Sequence, residues 1–396
     1  DKLLEAIRLY RKAVEADPES ALAHSRLAGA LLFLGDIDSA EASARVAMLL
    51  DPRLSEVQNT MGEVYWARGL PDAGAAFARA VELNPNNPDA LHNYATWRWF
   101  QFEIDGVAEL YARALDQDRL SLARYAALGD YLGKEGLADE ALEVAGRVQQ
   151  LFDDANSYRL VAWLHELAGR VDQAIAWTLK ARDKEPGNPD HIEKLAELYA
   201  IIGDFETALK LQPNPGLGLL FYMRRYPELI DQAEFAMIEM PEDMDVRYVL
   251  AYAYVATGQF ESALHVYTTT GVAEAMLERK VRTSGEVQAF HGLLGALYGS
   301  GNVELARELA LFAYEMPWAR TIDWMNNSMA ACELAILGRH KEALRFFERI
   351  KTSPRLPWDP VLRDHNCFRE YQDNPVYLGT LQAIEARRAD LRKRLP

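Results

Sequence analysis

The sequence predicts an all-α fold, a solenoid of stacked antiparallel helical hairpins, and three observations predict it. Small residues recur at an almost constant interval. Glycines and prolines punctuate that interval at constant phases. Between these marks the apolar residues follow a helical period, and no segment sustains period-two alternation.

The small residues are Ala6, Ala40, Ala73, Ala141, Ala174 and Ala208, with Val107 in the remaining place, and every interval is 33 or 34 residues. A small side chain lets two helices approach closely where a larger one would force them apart. Gly35, Gly136, Gly169 and Gly203 stand five residues before such positions, and Gly69 four before. Glycine takes the left-handed conformation that ends a first helix. Pro18, Pro52, Pro85 and Pro186 follow the second helices, which proline cannot continue. Between the marks, ALEVAGRVQQL from Ala141 repeats its apolar residues at i, i+3, i+4 and i+7.

This helix–turn–helix unit is similar to the tetratricopeptide repeat. The third unit carries the pattern as Met61, Gly62, Tyr65, Ala73, Phe77, Ala80 and Pro85. The second carries a degenerate version: Leu27, Ala28, Ala40, Ala44, Ala47 and Pro52. The aromatic residue of the second helix reappears as Tyr10, Tyr111, Tyr267 and Phe347, whereas the early tryptophan of the family is replaced by Tyr125 and Tyr158 in two units. The resemblance covers residues 1 to 350. It implies a right-handed superhelical solenoid of about ten to eleven hairpins with a C-terminal capping helix. The C-terminal end also resembles, loosely, the repeat regions of bacterial signalling and regulatory proteins.

The period organises the chain. Residues 1–208 form a regular array that begins within a repeat. DKLLEAIRLYRKAVEADP at its start reads as the second helix of a hairpin, so the expectation is a piece of a longer protein. After Ala208 the next marked pair is Gly258 and Ala263, and Pro213, Pro215, Gly216 and Gly218 interrupt helix in between. Residues 209–241 therefore read as one shortened, irregular hairpin or hinge. Residues 242–350 read as divergent repeats turning at Gly301 and Gly338, and 351–396 as a loop and capping helix. The basic residues Arg387, Arg388, Arg392, Lys393 and Arg394 at that end are expected to complement a helix C-terminus.

Composition narrows the function. The formal net charge is -16, which disfavours phosphate backbones and anionic lipid, so neither nucleic acid nor membrane is expected as a partner. Two cysteines, Cys332 and Cys367, imply no disulfide framework and favour a reducing, cytoplasmic place. No apolar run reaches membrane-spanning length.

Several strings imitate chemistry. GDYLGKEG, with Gly129, Gly133 and Lys134, has one residue too few before its Gly-Lys and Glu135 after it, so it is no phosphate-binding loop. Gly216-Leu-Gly218 lacks a third glycine. His365-Asn-Cys367 is poor evidence for a catalytic pair, and without companion CxxC or HExxH strings no metal site is expected. Asn326-Asn327-Ser328 reads as a chance glycosylation match. The clamp for a carboxylate-ending chaperone peptide is missing, since Ser25, Gly29, Asn59 and Glu63 stand at its places. An asparagine ladder fails along Arg26, Thr60, Asn93, Ala127, Leu160 and Lys194. No catalytic, cofactor-binding or metal-ligating residue is assigned.

The resemblance implies that first helices line an inner face. Register then places Asn59, Glu63, Trp66, His92, Thr96, Trp99, Asp130, Arg159, Trp163, Glu166, Glu193, Glu197, Tyr248, Tyr252 and His291 on it. Rings anchor interfaces and carboxylates attract cations. The expected function is a protein-interaction scaffold or sensor arm, whose acidic, aromatic groove holds a protein or peptide with basic and apolar anchors. The packing alternative puts the same rings between neighbouring repeats. Competing functions are an enzyme with an unrecognised site and homo-oligomerisation through end helices.

Overall fold

The computed structural model describes residues 2–101, 103–240, 243–269, 284–315, 324–353, 355–357 and 359–395. Every regular element among them is a helix. The chain divides into two compact units, Asp1–Tyr131 and Leu132–Pro396.

The first unit contains α1 (Lys2–Ala16), α2 (Ala21–Leu34), α3 (Ile37–Leu50), α4 (Ser55–Ala67), α5 (Ala73–Leu83), α6 (Pro88–Phe100) and α7 (Val107–Gln117). The helix α8 (Leu122–Lys134) begins in it. Successive helices pack as hairpins, and α2, α4 and α6 also touch one another as a row of first helices. Polar side chains start these helices: Ser20, Asp36 and Asn87 each accept a backbone N–H of the first turn. Gly35, at φ 86°, ends α2, with its N–H on the Leu32 carbonyl and that of Asp36 on Leu31. The marked small residues are where the helices meet: Ala40 and Val107 are fully buried and Ala73 nearly so. Gly62 of α4 lies under the buried Phe77 ring of α5, so close that a Cβ there would sit 2.7 Å from ring carbons.

The second unit continues with α9 (Ala138–Leu151), α10 (Ala155–Leu167), α11 (Val171–Lys184), α12 (Pro189–Ile201) and the seven-residue α13 (Phe205–Leu211). Pro213 and Pro215 separate α13 from the six-residue α14 (Leu217–Tyr222). The turn from α14 into α15 (Tyr226–Glu239) carries Arg224 at φ 58°, where the other hairpin turns use glycine. Then come α16 (Met244–Thr257), α17 (Phe260–Thr268), α18 (Ser284–Gly299), α19 (Val303–Glu315), α20 (Trp324–Ile336) and α21 (His340–Thr352). Gly136, Gly169, Gly203, Gly258, Gly301 and Gly338 all adopt positive φ.

After α21 the chain turns back. A short helix α22 (Asp359–Asp364) and a 3-10 turn (Asn366–Tyr371) lead to α23 (Pro375–Lys393). The expected cap is only part of its role. α23 packs on α21, as a capping helix should, but it also reaches α11, while α22 touches α14 and the 3-10 turn touches α18 and α20. Asp364 pairs with Arg224 and accepts the Tyr226 hydroxyl, and Tyr252 Oη donates to the Pro360 carbonyl at 2.8 Å. The final arginines complement helix C-termini, though not that of their own helix. Arg388 Nε donates to the Ile201 carbonyl at 2.9 Å and Arg392 to Ile202, both at the end of α12. Arg387 donates to the Lys351 and Ser353 carbonyls at the end of α21. The last carbonyls of a helix have no intrahelical donor and carry partial negative charge, so a guanidinium is a fitting partner.

Candidate functional site

The predicted inner-face residues separate into three groups. In the first unit, Asn59 and Glu63 of α4 line a cavity of about 390 Å³ with Ser25, Arg26, Phe33, Asn87, Asp89 and Asn93. Asn93 Nδ2 bridges the Asn59 carbonyl oxygen at 3.1 Å and Glu63 Oε1 at 2.6 Å. Burial raises the Glu63 carboxyl to about 7, opposed by the Asn93 hydrogen bond. Arg26 faces Asp89 at 3.7 Å and Arg124 binds the same carboxylate at 2.7 Å. The Phe33 ring at the cavity edge is 85% exposed.

Trp66, His92, Thr96 and Trp99 are brought into ring packing. Trp66 meets Phe77 and Phe100 edge-on, His92 meets Tyr111, and Trp99 meets Phe100 and Tyr131. Thr96 Oγ1 is 2.9 Å from Tyr111 Oη. The packing alternative therefore describes these side chains, while Asp130 is half-buried on α8.

In the second unit, Arg159, Trp163, Glu193 and Glu197 line a cavity of about 520 Å³ together with Asp190, His191 and Lys194. Lys194 stands in this wall at a place that the sequence offers only as a failed asparagine-ladder position. It sits 2.8 Å from Glu166 and 3.5 Å from Glu197, with its ammonium over the Trp163 ring. Burial disfavours its charge, but the two carboxylates outweigh that and raise its pKa. Burial raises the pKa of Glu197 in turn. Lys194 thus adds a second cation, beside Arg159, to a wall that carries Asp190, Glu193 and Glu197.

Tyr248, Tyr252 and His291 form the third group, and they do not face an open groove. They line a cavity of about 20 Å³ closed by the chain's own Val361, His365 and Phe368. Register could not show this, because the covering residues are more than a hundred positions from Tyr252. Beside that cavity Cys332 of α20 meets Cys367 of the 3-10 turn as a disulfide, with Cα atoms 5.5 Å apart. Two cysteines 35 residues apart carry no pairing signal in sequence, so this contact was not expected. His365 Nδ1 lies 2.9 Å from Cys367 Sγ and 3.6 Å from Cys332 Sγ. Burial, aided by nearby His291, lowers the His365 pKa to about 3, so its imidazole is neutral. His291 Nε2 approaches Glu333 Oε1 at 3.1 Å, and burial raises the carboxyl pKa of Glu333.

Tetratricopeptide repeat models match residues 1–64 and 126–189. The small glutamine-rich tetratricopeptide repeat-containing protein 2 of Mycosarcoma maydis is 32% identical over 83 residues, covering 21% of this chain and 24% of that protein. The protein O-mannosyl-transferase Tmtc1 of Drosophila melanogaster is 33% identical over 101 residues, 24% of this chain and 12% of that protein. The matched stretches thus span a quarter or less of these relatives' length. Among solved structures, yeast Tom70 is similar over 99% of this chain and 93% of its own, at 16% identity and a TM-score of 0.40. Among the described residues no helix is long and apolar enough to cross a membrane. Over those two stretches the helical hairpins match tetratricopeptide repeats, and the other described hairpins continue the same all-α arrangement.

Proposed function

We propose that the chain is an interaction scaffold that holds a segment of another protein against its first helices, the segment carrying Lys or Arg and an apolar anchor. Tetratricopeptide-repeat proteins generally bind protein or peptide partners. The observation that carries the finer reading is the cavity of the first unit. Glu63 stands there with two asparagines, raised to about 7 by burial, beside the exposed Phe33 ring. A desolvated carboxylate gains most from a cation brought to it, and an exposed ring supplies the apolar contact. Arg26 faces Asp89 at 3.7 Å and also favours the Glu63 charge. The cavity of the second unit adds the exposed Glu193 and the partly exposed Trp163.

Selection from a random peptide library at pH 8 tests it. Enrichment of Lys or Arg near Leu, Phe or Met is expected. Binding should weaken as pH falls from 8 to 6, where Glu63 takes up a proton, and Glu63→Gln should abolish that dependence. Acidic peptides, or affinity untouched by Glu63→Gln and Phe33→Ala, would overturn the reading.

A further inference from the structure

We propose that the reduced second unit holds one zinc-class divalent cation on Cys332, His365 and Cys367. The Sγ atoms of both cysteines and Nδ1 of His365 lie within 4.8 Å of one another, and all three residues are buried. Two thiolates and an imidazole are the donor set preferred by borderline-soft cations. Around a tetrahedral zinc, with bonds of about 2.3 Å to sulfur and about 2.0 Å to nitrogen, sulfur and nitrogen donors stand roughly 3.5 Å apart. The separation of Cys332 Sγ from His365 Nδ1 is 3.6 Å, and Cys367 Sγ, at 2.9 Å from the same nitrogen, would have to move off by roughly half an ångström once reduced. Charge also fits: a dication with two thiolates and a neutral imidazole sums to zero, which limits the cost of burying the ion. Cys332 and His365 both line the cavity of about 20 Å³, which has the volume of one water and has His291 in its wall.

The donors come from two places, which gives the ion a structural consequence. Cys332 belongs to α20, and His365 and Cys367 to the segment folded back over it. Gly295 of α18 admits the imidazole, because a Cβ there would lie 2.7 Å from its Cε1 and Nε2. The ion would hold that segment in place as the disulfide does. The exchange balances: a dithiol such as dithiothreitol supplies two electrons and two protons to the S–S bond and becomes a cyclic disulfide. The two thiols then lose their protons to solvent as the cation binds.

The test uses the full chain, reduced, stripped with chelator and titrated with Co²⁺ without oxygen. One Co²⁺ per chain is expected, with the intense visible bands of a tetrahedral ion and a sulfur-to-cobalt charge-transfer band, displaced by one Zn²⁺. Cys367→Ser and His365→Ala should each lose the charge-transfer band or shift it to a weaker-binding species. If either variant fails to fold by circular dichroism, the wild-type titration alone decides. Two titratable thiols with only the spectrum of hydrated Co²⁺ would overturn the proposal. So would thiols that stay oxidised under reductant in the folded chain. Neither outcome touches the peptide-binding reading, whose residues lie elsewhere.

Discussion

Gly29 and Gly62 sit inside successive first helices, and alanine is expected to act on them with opposite sign. No atom lies within 4 Å of a Cβ at Gly29, so Gly29→Ala gains helix propensity and should stabilise by about 0.5–1 kcal/mol. At Gly62 the same gain is opposed by the Phe77 ring 2.7 Å away, and overpacking costs about 1–3 kcal/mol. Thermal melts should therefore rise for the first variant and fall for the second. Gly62 was legible from the repeat pattern because its reason is steric and recurs in each unit. Glu63, one residue on, is legible as an inner-face carboxylate but not as a perturbed one, since its environment includes Asn93 of the next repeat, which bonds both Glu63 and Asn59. A carboxyl raised to about 7 in the folded chain binds more protons there than when unfolded. It therefore favours folding at low pH, and that favour is lost as pH rises from about 4.5 to 7. Glu63→Gln keeps the acceptor for Asn93 and removes the penalty. Denaturant midpoints should match wild type near pH 4.5 and exceed it at pH 8, by roughly 1–3 kcal/mol.

Helix α23 buries Tyr377, Ile384 and Leu391, and three arginines add to that packing. Arg388 is 5% exposed and bonded to the end of α12, 187 residues earlier in sequence. Removing it leaves the Ile201 carbonyl without its donor and empties a buried site, so Arg388→Ala should cost about 2–3 kcal/mol. Arg388→Lys should recover only part of that loss, because an ammonium cannot reproduce the in-plane reach of Nε. Limited proteolysis reads the outcome: cleavage within 375–393 should accelerate in Arg388→Ala and further with Arg392→Ala. Equal cleavage in variants and wild type would show that α21 alone secures the helix. The regular hairpins were readable because capping, turn and small-residue constraints act within one repeat. The return of α22 and α23 was not, because nothing local in PWDPVLRDHNCF specifies which distant helices receive it. The basic cluster is readable as a partner of a helix C-terminus, but which helices receive it is not.

At the scale of the whole chain, an array in which each repeat leans on its neighbours responds to damage locally. The second unit departs from that rule, since its closing segment touches α11, α14, α18 and α20 as well as α21. Loss of that segment removes contacts from many repeats at once. The covalent tie between Cys332 and Cys367 closes a loop over a separation of 35 residues, and a tie of that span stabilises by roughly 3–4 kcal/mol. Reduction in the presence of chelator should therefore raise amide exchange across 324–352 and 359–393 together. It should also reach the ends of α12 and α14, where Arg388 and Asp364 are anchored. Amides of α2 to α6 in the first unit have their own interior and should exchange at the same rate in both states. Hydrogen exchange followed by mass spectrometry distinguishes the cases. A response confined to 332–367 would mean that the arginines hold α23 without the tie. A response that extends equally through α2 to α6 would mean that the chain unfolds as one block, against the local behaviour that nearest-neighbour packing predicts.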